Sequence, residues 1–166
     1  MRRVISKAVI VCMVFQLTAC GFPFGNEKLL SDTLEEVAGF FGASQITGDE
    51  NLIGERLYGR DAYTGRYLAD CDKVTGRDVV FGGASVESRK LYLSGYIQAY
   101  SGTAVIRIRT NWEVVELEPD EDGYFETELN LESGGNYVIV KFEDFTGTVD
   151  LTSGYDRVSG LVQCPA

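Results

Sequence analysis

Alternation constrains this chain more than any other feature. Over "FETELNL", Phe125, Thr127, Leu129 and Leu131 fall on one side while Glu126, Glu128 and Asn130 fall on the other. A period of two sends successive side chains to opposite faces of a pleated strand, one face dry and one wet. The same rhythm sets Leu91, Leu93, Ile97 and Ala99 against Tyr92, Ser94, Tyr96 and Gln98. It continues through Ala104, Ile106 and Ile108, through Val115 and Leu117, and through Val149 and Leu151. "NYVIVKF" is apolar on both faces and reads as a central strand. The signals "YSGT", "RTNW", "EDG", "SGGN" and "DFTG" separate these runs and read as turns. A sheet with one apolar face needs a second sheet to cover it, so residues 90–166 are expected to form an antiparallel β-sandwich.

Upstream the pattern weakens. Residues 46–89 are rich in Gly, Asp and Tyr, and read as a loop-rich region with short strands, one of them near Val79–Phe81 in "DVVFGG". Before that, "KLLSDTLEEVAGFFG" carries Leu30, Leu34, Val37, Ala38 and Phe41 at helical spacing, with Glu35 and Glu36 on the other face. This predicts a short amphipathic helix over 31–41, ended by Gly42, within a tether spanning 20–45. Its polar face carries no Lys or Arg, which favours packing on the domain over lying on an anionic bilayer.

The start of the chain reads as a targeting signal over 1–19. Arg2, Arg3 and Lys7 give a positive n-region, Val9 to Leu17 an apolar core, and Thr18 and Ala19 small residues at its end. The core is too short for a transmembrane helix, which needs about 20 apolar residues. Leu17-Thr18-Ala19-Cys20 resembles the lipobox of bacterial lipoproteins. The resemblance implies cleavage before Cys20, lipidation of its thiol with palmitate-type chains, and an extracytoplasmic protein held at a cell membrane. Gly21 follows, in place of the Asp that retains many such proteins at the inner membrane, so a Gram-negative host would place it at the outer membrane.

Cys12 leaves with the signal and Cys20 is taken by lipid, which leaves Cys71 and Cys164. An even pair in an exported chain reads as a disulfide, with two free buried thiols as the alternative. The chain has no His, so a Cys–His nucleophile is excluded.

The net charge is −10, and without Arg2, Arg3 and Lys7 it falls to −13. That balance argues against nucleic acid and predicts repulsion from anionic lipid headgroups. Hydrolase elbows, phosphate-binding loops and zinc ligand pairs are missing, so no catalytic residue, metal ligand or cofactor is assigned. Asp120, Asp122 and Glu126 could offer oxygen ligands to calcium, but a hairpin turn explains the same residues. Tyr58, Tyr63 and Tyr67 could stack on a sugar ring or fill a core.

Finally, "LSGYIQAYSGTAVIRIR…ELEPDEDGYFETELNLESGGNYVIVKFEDFTG" resembles the transthyretin-like, carboxypeptidase-regulatory-type β-sandwich, an Ig-like fold. The matching positions are Asp120 to Gly123, Phe125, Gly135 and Tyr137. The resemblance implies an accessory module without catalysis. The expectation is a non-catalytic binding or assembly module for an envelope protein or glycan. The alternatives are a small carboxylate-dependent hydrolase and a purely structural envelope lipoprotein.

Overall fold

The computed structural model describes residues 45–111 and 113–157. The helix expected over 31–41, Cys20 and Cys164 lie outside them. Among the described residues the chain is all-β and antiparallel, preceded by one 3-10 turn at Asp49–Asn51. The strands are β1 (Glu55–Tyr58), β2 (Gly65–Ser85), β3 (Arg89–Thr110), β4 (Glu113–Leu117), β5 (Tyr124–Leu131) and β6 (Gly134–Gly154). They hydrogen-bond in the order β1-β2-β6-β3-β4, with β5 also on β3.

Three of these strands are far longer than the usual five or six residues: β2 and β6 have 21 and β3 has 22. Laid straight, each would run about 70 Å. All three turn a corner at one level instead. The register slips between Cys71 and Gly76 in β2 and between Ala99 and Thr103 in β3, opposite residues 142–147 of β6. Lys73 and Asp144 take left-handed backbone there (φ 52° and 47°), as does Gly102 (φ 69°). These are β-bulges, which bend a strand and raise its twist. Side chains latch the corner. Thr75 Oγ1 donates to Asp144 Oδ1 (3.1 Å), and the Lys73 amide donates to Thr146 Oγ1 (3.0 Å).

Each long strand therefore serves two layers. The first holds β1, β5 and residues 65–71, 89–99 and 147–154. The second holds β4 and residues 76–85, 103–110 and 134–142. One hydrogen bond proves the fold-over. Tyr67 Oη donates to Asp78 Oδ2 at 2.6 Å, although a straight strand would part them by about 36 Å. The cover that a one-sided sheet requires comes from the other half of the same strands.

The core fills from both layers. Tyr67, Leu93, Ile97 and Leu151 meet Val80, Ile106, Val140 and Phe142, all buried in one cluster. At the corner the Phe142 and Phe145 rings lie 5.6 Å apart. The inward parity switches there, from Val138, Val140 and Phe142 to Phe145, Val149 and Leu151. That switch is why one strand reads as two in the sequence. "RTNW", "EDG" and "SGGN" are chain reversals as expected, while "YSGT" and "DFTG" lie inside strands and make the corner. Residues 65–85, with little sustained period, form one strand for the same reason.

Polar ties close the open side of the sandwich. Asp78 is fully buried, and its Oδ2 accepts from the Ile53 amide (2.8 Å) and the Gly54 amide (3.2 Å) as well as Tyr67. The buried Arg56 guanidinium donates to the carbonyls of Val79 (3.2 Å) and Thr47 (2.9 Å) and to Asp49 Oδ1 (2.6 Å). Together they pin residues 47–56 across both layers. At the far end Tyr63 does the same, donating from Oη to the Gly83 carbonyl and accepting at its own carbonyl from Ser153 Oγ.

Candidate functional site

Strand register sets what each outer face offers a partner, because directly paired residues point to the same side of a sheet. On the first layer one row runs Glu55, Leu68, Asp150, Tyr96, Tyr124 across five strands. The neighbouring row runs Leu57, Arg66, Thr152, Ser94, Glu126. Tyr96 and Tyr124 stand opposite each other and are 37% and 36% exposed, so both phenols are offered on the same outer face. Arg66 crosses the rows to Asp150 as a two-pronged pair, Nε to Oδ1 at 2.9 Å and a terminal nitrogen to Oδ2 at 2.6 Å. Tyr124 Oη donates to Glu126 Oε2 (3.1 Å), and partial burial with that bond raises its pKa.

Hollows flank the Arg66–Asp150 pair. One groove of about 650 Å³ is lined by Glu55, Asp70, Tyr96, Gln98, Thr148 and Asp150. Another of about 510 Å³ lies beside Tyr58, Arg60, Arg66, Thr152 and Tyr155. An aromatic wall beside hydroxyl, amide and carboxyl groups suits a ligand with one apolar face and a polar rim.

The second layer is different. Its outward rows run Arg77, Lys141, Val105, then Val79, Ile139, Arg107, Glu116, then Tyr137, Arg109, Val114. Cations sit among aliphatic side chains, and Val114 is 56% exposed. Arg107 Nε donates to Glu116 Oε1 (2.7 Å), and Lys141 lies 3.6 Å from Glu143.

The residues singled out in the sequence do not converge. Cys71 is buried at the first-layer side of the corner and holds a free thiol among the described residues. Burial, then Asp70 and Asp78, pushes that thiol's pKa up, the wrong direction for a nucleophile. Tyr63 and Tyr67 are buried, so of the three tyrosines weighed for stacking only Tyr58 is exposed, and the Arg56 guanidinium lies 4.6 Å from its ring. Asp120 caps its own turn: Oδ1 accepts from the amides of Asp122 (3.1 Å) and Tyr124 (2.8 Å). Glu126 is engaged by Tyr124 and by Arg157 (3.0 Å). Among the described residues no three His, Cys, Asp or Glu side chains gather as a metal site. The Tyr96–Tyr124 pair was missed as a site. Alternation puts both on wet faces, but only the β3–β5 register makes them neighbours.

No family model matches the chain, and no curated protein matches it. Among solved structures, the pre-peptidase C-terminal domain of a collagenase from Bacillus anthracis matches at 18% identity. The match covers 61% of this chain and 86% of that one, with a TM-score of 0.35. The architecture above rests on the hydrogen-bond register and not on that likeness.

Proposed function

We propose that the protein is a lipid-anchored extracytoplasmic module that binds an envelope glycan without catalysis, using the outer face of its first layer. The observation that carries this reading is the exposed Tyr96–Tyr124 pair beside the groove of about 650 Å³. Sugar rings offer C–H faces to aromatic rings and hydroxyls to carboxyl and amide groups, and the groove supplies Asp70, Gln98 and Thr148 for the latter. The anchor is Cys20, and the motif Leu17-Thr18-Ala19-Cys20 supports it. The Cys71–Cys164 bridge and a transthyretin-like strand topology belong to the same proposal.

Co-sedimentation with insoluble envelope polysaccharide tests the binding claim. The mature chain is expected to pellet, and the Tyr96→Ala, Tyr124→Ala double variant to lose about tenfold in affinity, the scale of two anchoring aromatics. Unchanged binding would remove this face from the account. Cys20→Ser is expected to release the protein from membranes.

A second reading draws on Glu55 and Asp70, two carboxylates that line one groove. Polysaccharide turnover by the wild type that vanishes in Glu55→Gln or Asp70→Asn would favour a carboxylate-dependent hydrolase instead.

A further inference from the structure

We infer that the outer face of the second layer is the side that lies on an anionic bilayer. The inference rests on the Cys20 anchor reading. Arg77, Arg107, Arg109 and Lys141 share this face, against Glu116 in the same rows and Glu143 one row nearer the corner. Arg107 is offset by Glu116 and Lys141 is near Glu143, but Arg77 and Arg109 are exposed and have no ion pair among the described residues. Between these cations stand Val79, Val105, Ile139 and Val114, side chains that tolerate a headgroup boundary.

The net charge of −10 does not forbid this contact. Screening confines charge effects to about 8 Å at physiological salt, less than the roughly 10 Å between packed sheets. The bilayer therefore meets the charge of one face and not that of the whole chain.

The first described residues pair with this layer. The Thr47 amide donates to the Val79 carbonyl (3.1 Å), and the Val79 amide donates to Thr47 Oγ1 (2.8 Å). Thr47 thus lies on the edge of the second layer, beside its middle row.

The test uses the native lipidated protein in phosphatidylcholine vesicles, in vesicles with added phosphatidylglycerol, and in detergent micelles. Arginine modification by phenylglyoxal is read residue by residue by mass spectrometry. Arg77 and Arg109 are expected to react at least about fivefold more slowly with phosphatidylglycerol present, the scale of one cation at an anionic surface. Arg60, exposed in the β1–β2 loop, is expected to react equally throughout. Arg77→Glu with Arg109→Glu should abolish the lipid dependence at Arg107 and leave the denaturation midpoint unchanged.

Equal rates at Arg77 and Arg109 in both vesicle types would overturn the inference. Equal protection in micelles would overturn it too, because a second copy or the acidic segment 27–41 would then be the cover. If the protein fails to float with plain phosphatidylcholine vesicles, the anchor reading has failed. Flotation with phosphatidylglycerol vesicles, lost in the Arg77→Glu, Arg109→Glu variant, then reports the face alone, and no flotation with either overturns it.

Discussion

The two layers of the sandwich share three strands and the main buried cluster but present different surfaces. The outer face of the first carries Glu55, Asp70, Asp150, Glu126 and Glu128 with Arg66 and Lys90 among tyrosines; that of the second carries Arg77, Arg107, Arg109 and Lys141 with Glu116 and Glu143 among aliphatics. Because β2, β3 and β6 run through both layers, the difference comes from outward positions alone. Most inward positions of the three shared strands enter one buried cluster, and Leu91 enters a second with Tyr63 and Leu131. Net charge is thus a poor guide to either face taken alone.

The comparison holds only while the layers stay folded over each other, and the largest expected effect is on that tie. Asp78→Ala leaves the Tyr67 hydroxyl and the amides of Ile53 and Gly54 without their buried acceptor. It is expected to cost about 3–5 kcal/mol by urea denaturation, and Asp78→Asn clearly less, since one acceptor oxygen survives. Equal losses in the two variants would mean that shape, not acceptance, matters at this position.

A smaller effect tests the corner. A Cβ at Gly102 would sit 2.1 Å from the Asp144 carbonyl oxygen, in left-handed backbone. Gly102→Ala is expected to cost about 1–3 kcal/mol, while Gly48→Ala, whose Cβ would meet only Asn51 Nδ2 at 3.9 Å, should stay within about 0.5 kcal/mol. Similar midpoints for the two would show that the bend does not depend on the bulge.

The smallest effect is a pH dependence. Burial holds the phenols of Tyr63 and Tyr67 well above the ordinary value near 10, and at Tyr67 the bond to Asp78 adds to it. A raised folded pKa means that the unfolded chain loses the proton first. Stability is therefore level with respect to these groups below about pH 10 and falls as pH rises beyond it. Tyr67→Phe should flatten that alkaline fall, and an equally steep fall in the variant would assign it elsewhere.

Much of the fold is legible in the sequence. Leu91, Leu93, Ile97, Ile106 and Ile108 announce buried faces by alternation, and "RTNW", "EDG" and "SGGN" announce reversals. The corner is not legible, because Gly, Ser and Thr serve a bulge and a hairpin equally well, and only pairing partners distinguish them. Hence "YSGT" and "DFTG" read as loop turns although their strands continue. The surfaces are legible one strand at a time, since alternation assigns Tyr96 and Arg109 to wet faces. Their grouping depends on register across strands that lie far apart in the chain, as with Arg77, Lys141 and Val105. Asp78 is masked for a related reason: a carboxylate inside an apolar run looks like a strand boundary until its three donors are in place.

The most direct test of separate roles for the two faces is a crossed binding measurement. Tyr96→Ala with Tyr124→Ala and Arg77→Glu with Arg109→Glu are each assayed against insoluble envelope polysaccharide and against phosphatidylglycerol vesicles. The account predicts that the tyrosine variant loses the polysaccharide and keeps the lipid response, and that the arginine variant does the reverse. Both variants losing both partners, or neither losing any, would contradict it.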